Sequence, residues 1–181
     1  MNKIVTIKND RAQKIIKNRH PWIFSGAVKN VPSDVEPGDI VFVADETGKV
    51  FAQAAYNPSS DIRLRVISWN PSAKIDENWF VEHIKNVAEN KEYILGIKNL
   101  PENKKNYRVV YSESDNLPGL IIDRYGLIFV VQLQTLFADK NRSLWVDIIK
   151  KLFNPPAIYE RSDAEVRKKE GLKDLPAGIL Y

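Results

Sequence analysis

One break in the sequence limits what this chain can fold into. Before the break, apolar and polar residues alternate or form short apolar runs, as in Ile40–Ala44 and Val50–Tyr56, which is typical of strands. From Asp76 onward, apolar residues recur every three or four positions, which is typical of an amphipathic helix. Residues 70–74, between these two patterns, are mostly polar and contain a proline. The break therefore predicts two domains, residues 1–72 and residues 73–181.

The first domain is predicted to be a small β-barrel built around one short helix. Strand patterns cover residues 2–8, 28–31 and 61–69, and a hairpin joins residues 40–44 to residues 50–56. Asp10 can cap a helix that continues through Lys17. Several short strands around a single helix are typical of a small barrel.

The second domain is predicted to be a small α+β layer structure, so the predicted fold class of the chain is α+β. After the helix that begins near residue 76, strand patterns cover residues 107–111 and 157–161, and a second hairpin covers residues 120–133. A second amphipathic helix over residues 144–152 is ended by two prolines, and a basic helical turn occupies residues 166–169.

Composition excludes several kinds of site. The chain has no cysteine and only two histidines, so we predict no disulfide, no metal site and no cysteine nucleophile. The glycines form no Gly-x-Gly turn, and we assign neither a nucleotide cradle nor any catalytic residue. No apolar run approaches the roughly 20 residues that cross a membrane, and no secretory signal is visible, so the expected location is cytoplasmic, without a membrane partner.

Residues 19–27, Arg-His-Pro-Trp-Ile-Phe-Ser-Gly-Ala, combine cationic and aromatic side chains directly after the first predicted helix. Up to Arg19, the chain has six lysines and arginines against one acid, Asp10, which is its most one-sided charge distribution. Phosphate fits such a surface, and exposed rings can stack on unpaired bases. The alternative is that some of these rings belong to the core. The candidate RNA-binding residues are Lys14, Lys17, Arg19, His20, Trp22, Phe24, Ser25, Arg63 and Arg65.

Two basic groups are open to a second interpretation. Arg63 and Arg65 alternate with apolar residues, so they can also form the solvated face of a strand. The basic residues between Arg161 and Lys169 are offset by neighbouring acids, which also fits a solvated helix.

Five stretches carry a resemblance to a known family. Residues 20–27, 55–58 and 62–66 resemble the N-terminal PUA domain of a bacterial family of S-adenosylmethionine-dependent 23S rRNA cytosine-5 methyltransferases. Residues 113–126 and 159–172 are similar to two signatures of the central domain of that family. The likeness runs in order along nearly the whole chain.

The resemblance implies a PUA barrel and a small α+β domain, followed by a Rossmann-like catalytic domain. The family's cysteine nucleophile and Gly-rich turn are missing, so we expect that the Rossmann-like domain is absent from this chain and that the chain is not catalytic alone. No cofactor is expected in the chain, S-adenosylmethionine (SAM) is expected in the parent protein, and the expected partners are large-subunit rRNA and the protein's own C-terminal methyltransferase domain. The resemblance further implies cleft-facing residues, for which the candidates are Asp115, Arg161, Asp163, Arg167 and Lys168.

The function that the resemblance implies is RNA recognition and positioning for an rRNA methyltransferase. One alternative is a stand-alone two-domain RNA-binding adaptor without enzymatic activity, and another is a module whose aromatic loop binds a protein. The apolar residues 178–181 favour a boundary between domains over a natural terminus.

Overall fold

The strands form two sheets in the computed structural model, which describes residues 3–162, 165–173 and 175–181. The first sheet has six strands, Ile4–Ile7 (β1), Trp22–Ile23 (β2), Val28–Asn30 (β3), Ile40–Ala44 (β4), Val50–Tyr56 (β5) and Leu64–Ser68 (β6). The second has five, Asn106–Tyr111 (β7), Leu120–Tyr125 (β8), Ile128–Leu133 (β9), Ala157–Glu160 (β10) and Gly178–Ile179 (β11). The helices are Asn9–Asn18 (α1), Glu77–Ile94 (α2), Leu136–Lys140 (α3), Arg142–Phe153 (α4) and Val166–Lys169 (α5).

The first sheet has the strand order β2-β6-β5-β4-β1-β3, with β2 and β3 at its edges. Its pairs are antiparallel except for β1 with β4. Alternate residues such as Val41, Val43 and Leu64 are fully buried and form the core of this sheet. Among the described residues, the edge strands β2 and β3 are not paired with each other, so hydrogen bonds between these edges do not close the predicted β-barrel. The β2 edge is short because β2 pairs with β6 through only two residues.

Helix α1 lies beside this sheet and is two residues longer than the predicted helix, one at each end. Asp10 is in its first turn and Lys17 in its last, which matches the helix dipole. The helix ends because Arg19 adopts a left-handed backbone conformation with φ of 50°. Ala12 is its only buried residue, so most of the helix surface faces water.

The second sheet is a β7-β8-β9 antiparallel meander to which β10 adds in parallel and β11 adds at the edge. Helix α2 begins where the Asp76 carboxylate accepts a hydrogen bond from the Trp79 N–H at 2.9 Å. Phe80 of α2 packs edge-on against Trp145 of α4, with ring centroids 5.2 Å apart. The pattern did not predict α3 and β11, which have five and two residues.

The two sheets are in contact. Ala55 and Ile67, from the first sheet, belong to the same buried cluster as Phe80 and Val110, from the second half of the chain. The division of the chain at residue 72 therefore stays a prediction. No helix in the described ranges is both long enough and apolar enough to span a membrane.

Candidate nucleic-acid interface

An open groove of about 350 Å³ lies between α1 and the loop that follows β2. Helix α1 contributes Arg11 and Lys14, which are exposed and one turn apart, together with the half-buried Ile15. Trp22 and Phe24 contribute rings that are 38% and 51% exposed. The groove therefore presents two aromatic rings and two cations to solvent.

The alternation of β2 explains why two rings are exposed. Ile23 is completely buried, whereas its neighbours Trp22 and Phe24 point away from the core. Ile23 therefore belongs to the core, whereas the rings of Trp22 and Phe24 belong to the surface.

Backbone hydrogen bonds fix the loop that carries the rings. The Ser25 N–H donates to the Asp61 carbonyl at 2.8 Å, and the Val66 N–H donates to the Pro21 carbonyl at 2.8 Å. The Lys8 ammonium donates to the Gly26 carbonyl at 2.9 Å, which ties the start of α1 to the loop. The groove is thus pre-formed, and Ser25 contributes to it by holding the backbone.

The remaining candidates of this segment lie around the groove. The backbone N–H of Trp22 donates to Nδ1 of His20 at 3.1 Å, and the rings of the two residues meet edge-on with centroids 5.8 Å apart. The guanidinium of Arg19 lies over the Trp69 ring, 5.5 Å from its centroid. Lys17 is exposed on α1 but does not line the groove.

Arg65, which was predicted to bind RNA or to lie on a solvated strand face, is buried. Its side chain is only 8% exposed and donates to the carboxylates of Glu113 and Glu170, the latter at 2.8 Å. Its guanidinium also lies over the Trp22 ring, 5.3 Å from the centroid. The second half of the chain covers this part of β6, so Arg65 forms an internal ion network instead of a solvated face. Arg63 is half-buried and donates to the Pro58 carbonyl.

Two carboxylates from the second half of the chain, those of Glu113 and Glu170, bind side chains of the first half, including Trp22 and Arg65. We call five of these residues the inter-sheet clamp: Asn57, Ser60, Arg65, Glu113 and Glu170. The Trp22 indole N–H donates to Glu113 at 2.8 Å. Glu170 is 2% exposed and also accepts from Ser60 at 2.7 Å and from Asn57 at 2.9 Å. No local sequence pattern predicts these pairs, because Glu170 is 105 residues from Arg65.

The clamp lowers the pKa of Glu113. Burial raises the pKa of this carboxyl, but the Ser112 hydroxyl, the Arg65 charge and the Trp22 N–H together outweigh burial and hold the pKa below its ordinary value of 4.5. Glu113 is therefore a stable anion at neutral pH, as its partners require.

The described members of the predicted cleft-facing set have different environments. The Asp115 carboxylate is half-buried and accepts from the Lys91 ammonium and the Tyr111 N–H. Arg167 is 1% exposed and is bound within the fold by Asp139 at 2.9 Å and by two backbone carbonyls, those of residues 133 and 173. Its burial follows from the return of α5 over the end of β9. Arg161 and Lys168 are exposed, and Asp163 lies outside the described residues.

Arg11 is the charged residue of the groove that the candidate set did not include. Its signal is the spacing of Arg11, Lys14 and Ile15, which places the three residues on one face of α1.

Comparison with known proteins identifies relatives of both halves. A family model described as a PUA-like domain matches residues 5–69. Ribosomal RNA large subunit methyltransferase I of Erwinia tasmaniensis is 39% identical over 168 residues, which are 93% of this chain and 41% of that protein. The enzyme of the same name from Tolumonas auensis is 38% identical over 181 residues, all of this chain and 44% of that protein. The chain thus spans less than half the length of these curated relatives.

Solved structures correct the predicted fold class. A candidate methyltransferase in complex with SAH matches all of this chain and 43% of its own, with a TM-score of 0.74 at 16% identity. A candidate SAM-dependent methyltransferase from Streptococcus mutans matches equally well. The prediction set this chain apart from the methyltransferase fold by stating that a Rossmann-like domain is absent. It was wrong, because the match to the methyltransferase structures takes in the whole chain.

The similarity to these relatives extends across both halves of the chain and is not confined to the PUA-like domain. Part of the groove and part of the clamp lie in segments that the resemblance singled out: Trp22 and Phe24 in residues 20–27, Arg65 in residues 62–66, Glu113 in residues 113–126 and Glu170 in residues 159–172. The chain carries a PUA-like domain and is a homologue, over the part of their length that it spans, of the bacterial ribosomal RNA large subunit methyltransferase I proteins.

Proposed function

We propose that this chain binds large-subunit rRNA and positions it for SAM-dependent methylation. The observation that carries the proposal is the groove on the PUA-like domain, where the exposed rings of Trp22 and Phe24 stand beside Arg11 and Lys14. The names of the relatives, which are rRNA methyltransferases, support the same substrate class.

Recognition would divide between charge and stacking. Arg11 and Lys14 would bind backbone phosphates, which supplies affinity and fixes the register of the RNA. Trp22 and Phe24 would stack on unpaired bases, which favours single-stranded loops or ends over a regular duplex. The backbone hydrogen bonds of the loop reduce the entropic cost of this stacking, because the rings are already held in place.

Positioning would use the inter-sheet clamp. Glu113 accepts from the Trp22 indole N–H and from Arg65, whose guanidinium lies over the Trp22 ring, so this ring of the groove is joined to the segment between β7 and β8. RNA stacked on Trp22 would therefore have a defined orientation relative to the second half of the chain.

We propose SAM as the methyl donor of this activity and C5 of a cytosine as its target, on the basis of the family resemblance. At the three strand-to-helix junctions that are fully described, residue 8, residues 69–76 and residues 134–135, there is no glycine to let a backbone approach such a donor. These residues do not fit a SAM site. We assign no residue to the donor.

Charge reversal on α1 tests the proposal. The Arg11→Glu/Lys14→Glu variant should bind a transcribed large-subunit rRNA fragment at least about tenfold more weakly at about 0.1 M salt. The slope of log affinity against log salt should fall by about 1.4, because two contacts to single-stranded phosphates are lost. Fluorescence anisotropy over a salt series measures both.

A matched control separates the groove from total charge. Lys98→Glu/Lys151→Glu changes the net charge by the same amount at exposed positions of the second half of the chain. The control should retain most of the affinity. Equal losses in the two variants, or no loss in the α1 variant, would refute the groove as the RNA site.

A further inference from the structure

A second cleft, of about 350 Å³, adjoins the groove at Phe24. Phe24 lines both cavities, so its exposed ring forms part of the wall between them. The first half of the chain supplies residues 59–62 to the cleft, and α5 supplies Val166 and Lys169. The cleft therefore adjoins the proposed RNA groove but lies between the two halves of the chain.

The lining of this cleft is chemically mixed. Phe24, Ile62 and Val166 are apolar, Lys169 is an exposed cation, and Asp61 is an exposed acid. A ligand that is only an anion would meet Asp61, and a purely apolar ligand would leave Lys169 and Asp61 without partners. A nucleotide fits better, because it offers a base face, hydroxyl and amino donors, and a phosphate.

Arg65 gives a second, independent indication of a ligand. This side chain lines the cleft, is 8% exposed, and gives two of its nitrogens to Glu113 and Glu170. Its Nε–H is buried and has no hydrogen-bond acceptor among the described residues. Buried donors are nearly always paired in native proteins, so an acceptor from outside the chain would complete this network.

We infer that this cleft binds one unpaired nucleotide of the same RNA that occupies the groove. Its base contacts Phe24, its phosphate pairs with Lys169, and one of its oxygens accepts from Nε of Arg65 after a small adjustment of the cleft. The inference rests on the proposed function, which it extends by a subsite that α5 helps to build.

Binding to RNAs of two lengths tests the inference. Mixed-sequence single strands of about 4 and about 12 nucleotides cover the usual range of site sizes for small single-strand binding domains. Lys169→Ala should weaken binding of the long RNA about fivefold at about 0.1 M salt and leave binding of the short RNA unchanged. Lys14→Ala and Phe24→Ala should weaken binding of both RNAs, because both residues line the groove. Lys151→Ala, the matched control, should change neither.

The outcomes distinguish the two proposals. If Lys169→Ala binds the long RNA as tightly as the unmodified chain while Lys14→Ala does not, the second cleft is not an RNA subsite and the groove stands. If neither variant loses affinity at either length, the proposed function fails and the inference fails with it. A loss for Lys169→Ala that equals the loss for Lys151→Ala reflects net charge only and overturns the inference.

Discussion

Cationic side chains in α1 and in the second half of the chain have the same chemistry but opposite environments. Arg11 and Lys14 are exposed beside two aromatic rings, because α1 buries only Ala12 and keeps its other faces in water. Arg124 and Arg167 are 3% and 1% exposed and are bound by carboxylates and backbone carbonyls. The difference shows that a basic cluster stays exposed where its element packs through a small apolar face, and becomes internal where other elements cover it.

Arg65 stands between these extremes. Arg65 belongs to the PUA-like domain, as the groove does, but it forms ion pairs with two carboxylates of the second half of the chain. Removing a buried cation should therefore affect stability, and removing an exposed one should affect only binding.

The largest effect is expected for a fully buried arginine. Arg167→Ala should lower the free energy of unfolding by about 3–5 kcal/mol, because two backbone carbonyls lose their donor and Asp139 loses a cation. Urea unfolding followed by circular dichroism measures this change. Lys169→Ala, two positions away and exposed, should stay within about 0.5 kcal/mol of the unmodified chain. Similar losses in the two variants would contradict the contrast.

An intermediate effect is expected at the inter-sheet clamp. Glu170→Gln keeps the shape of the side chain but removes the charge that Arg65 requires, and should cost about 2 kcal/mol. Glu165→Gln is the matched control, since Glu165 is exposed on the same segment. Chemical denaturation of both variants gives the comparison, and a loss confined to Glu165→Gln would show that the clamp does not stabilise the fold.

The smallest effect is expected from the titration of Glu113. Its pKa in the folded protein lies below the ordinary value of 4.5, so its ionised form contributes stability above that pH, and the contribution is lost as the pH falls through the folded pKa. Glu113→Gln should lack this component. Unfolding free energies of both proteins, measured from neutral pH down through pH 4.5, should therefore converge in acid. Parallel curves would mean that the Glu113 charge does not stabilise the fold. Other acids with lowered pKa, such as Asp39 and Glu102, titrate in both proteins and cancel in the difference.

Local patterns predicted much of the secondary structure. Strands β4 and β5 have the predicted bounds, and α4 extends the predicted residues 144–152 by only two positions at its start and one at its end. These elements depend on apolar periodicity, which is a property of the local sequence. Helix α3 and strand β11 were not predicted, because segments this short form only when neighbouring elements satisfy their backbone groups.

The candidate site also combines features that depend on neighbouring residues with features that depend on distant contacts. The sequence by itself determined the basic helix, the aromatic loop and the alternation that exposes Trp22 and Phe24 around the buried Ile23, because these depend on residues adjacent in the chain. Only the tertiary structure decided that Arg65 and Arg167 are internal and that Glu113 and Glu170 reach the PUA-like domain. The partners of these four residues are up to 113 positions away, and the charge of a side chain does not specify which distant group will meet it.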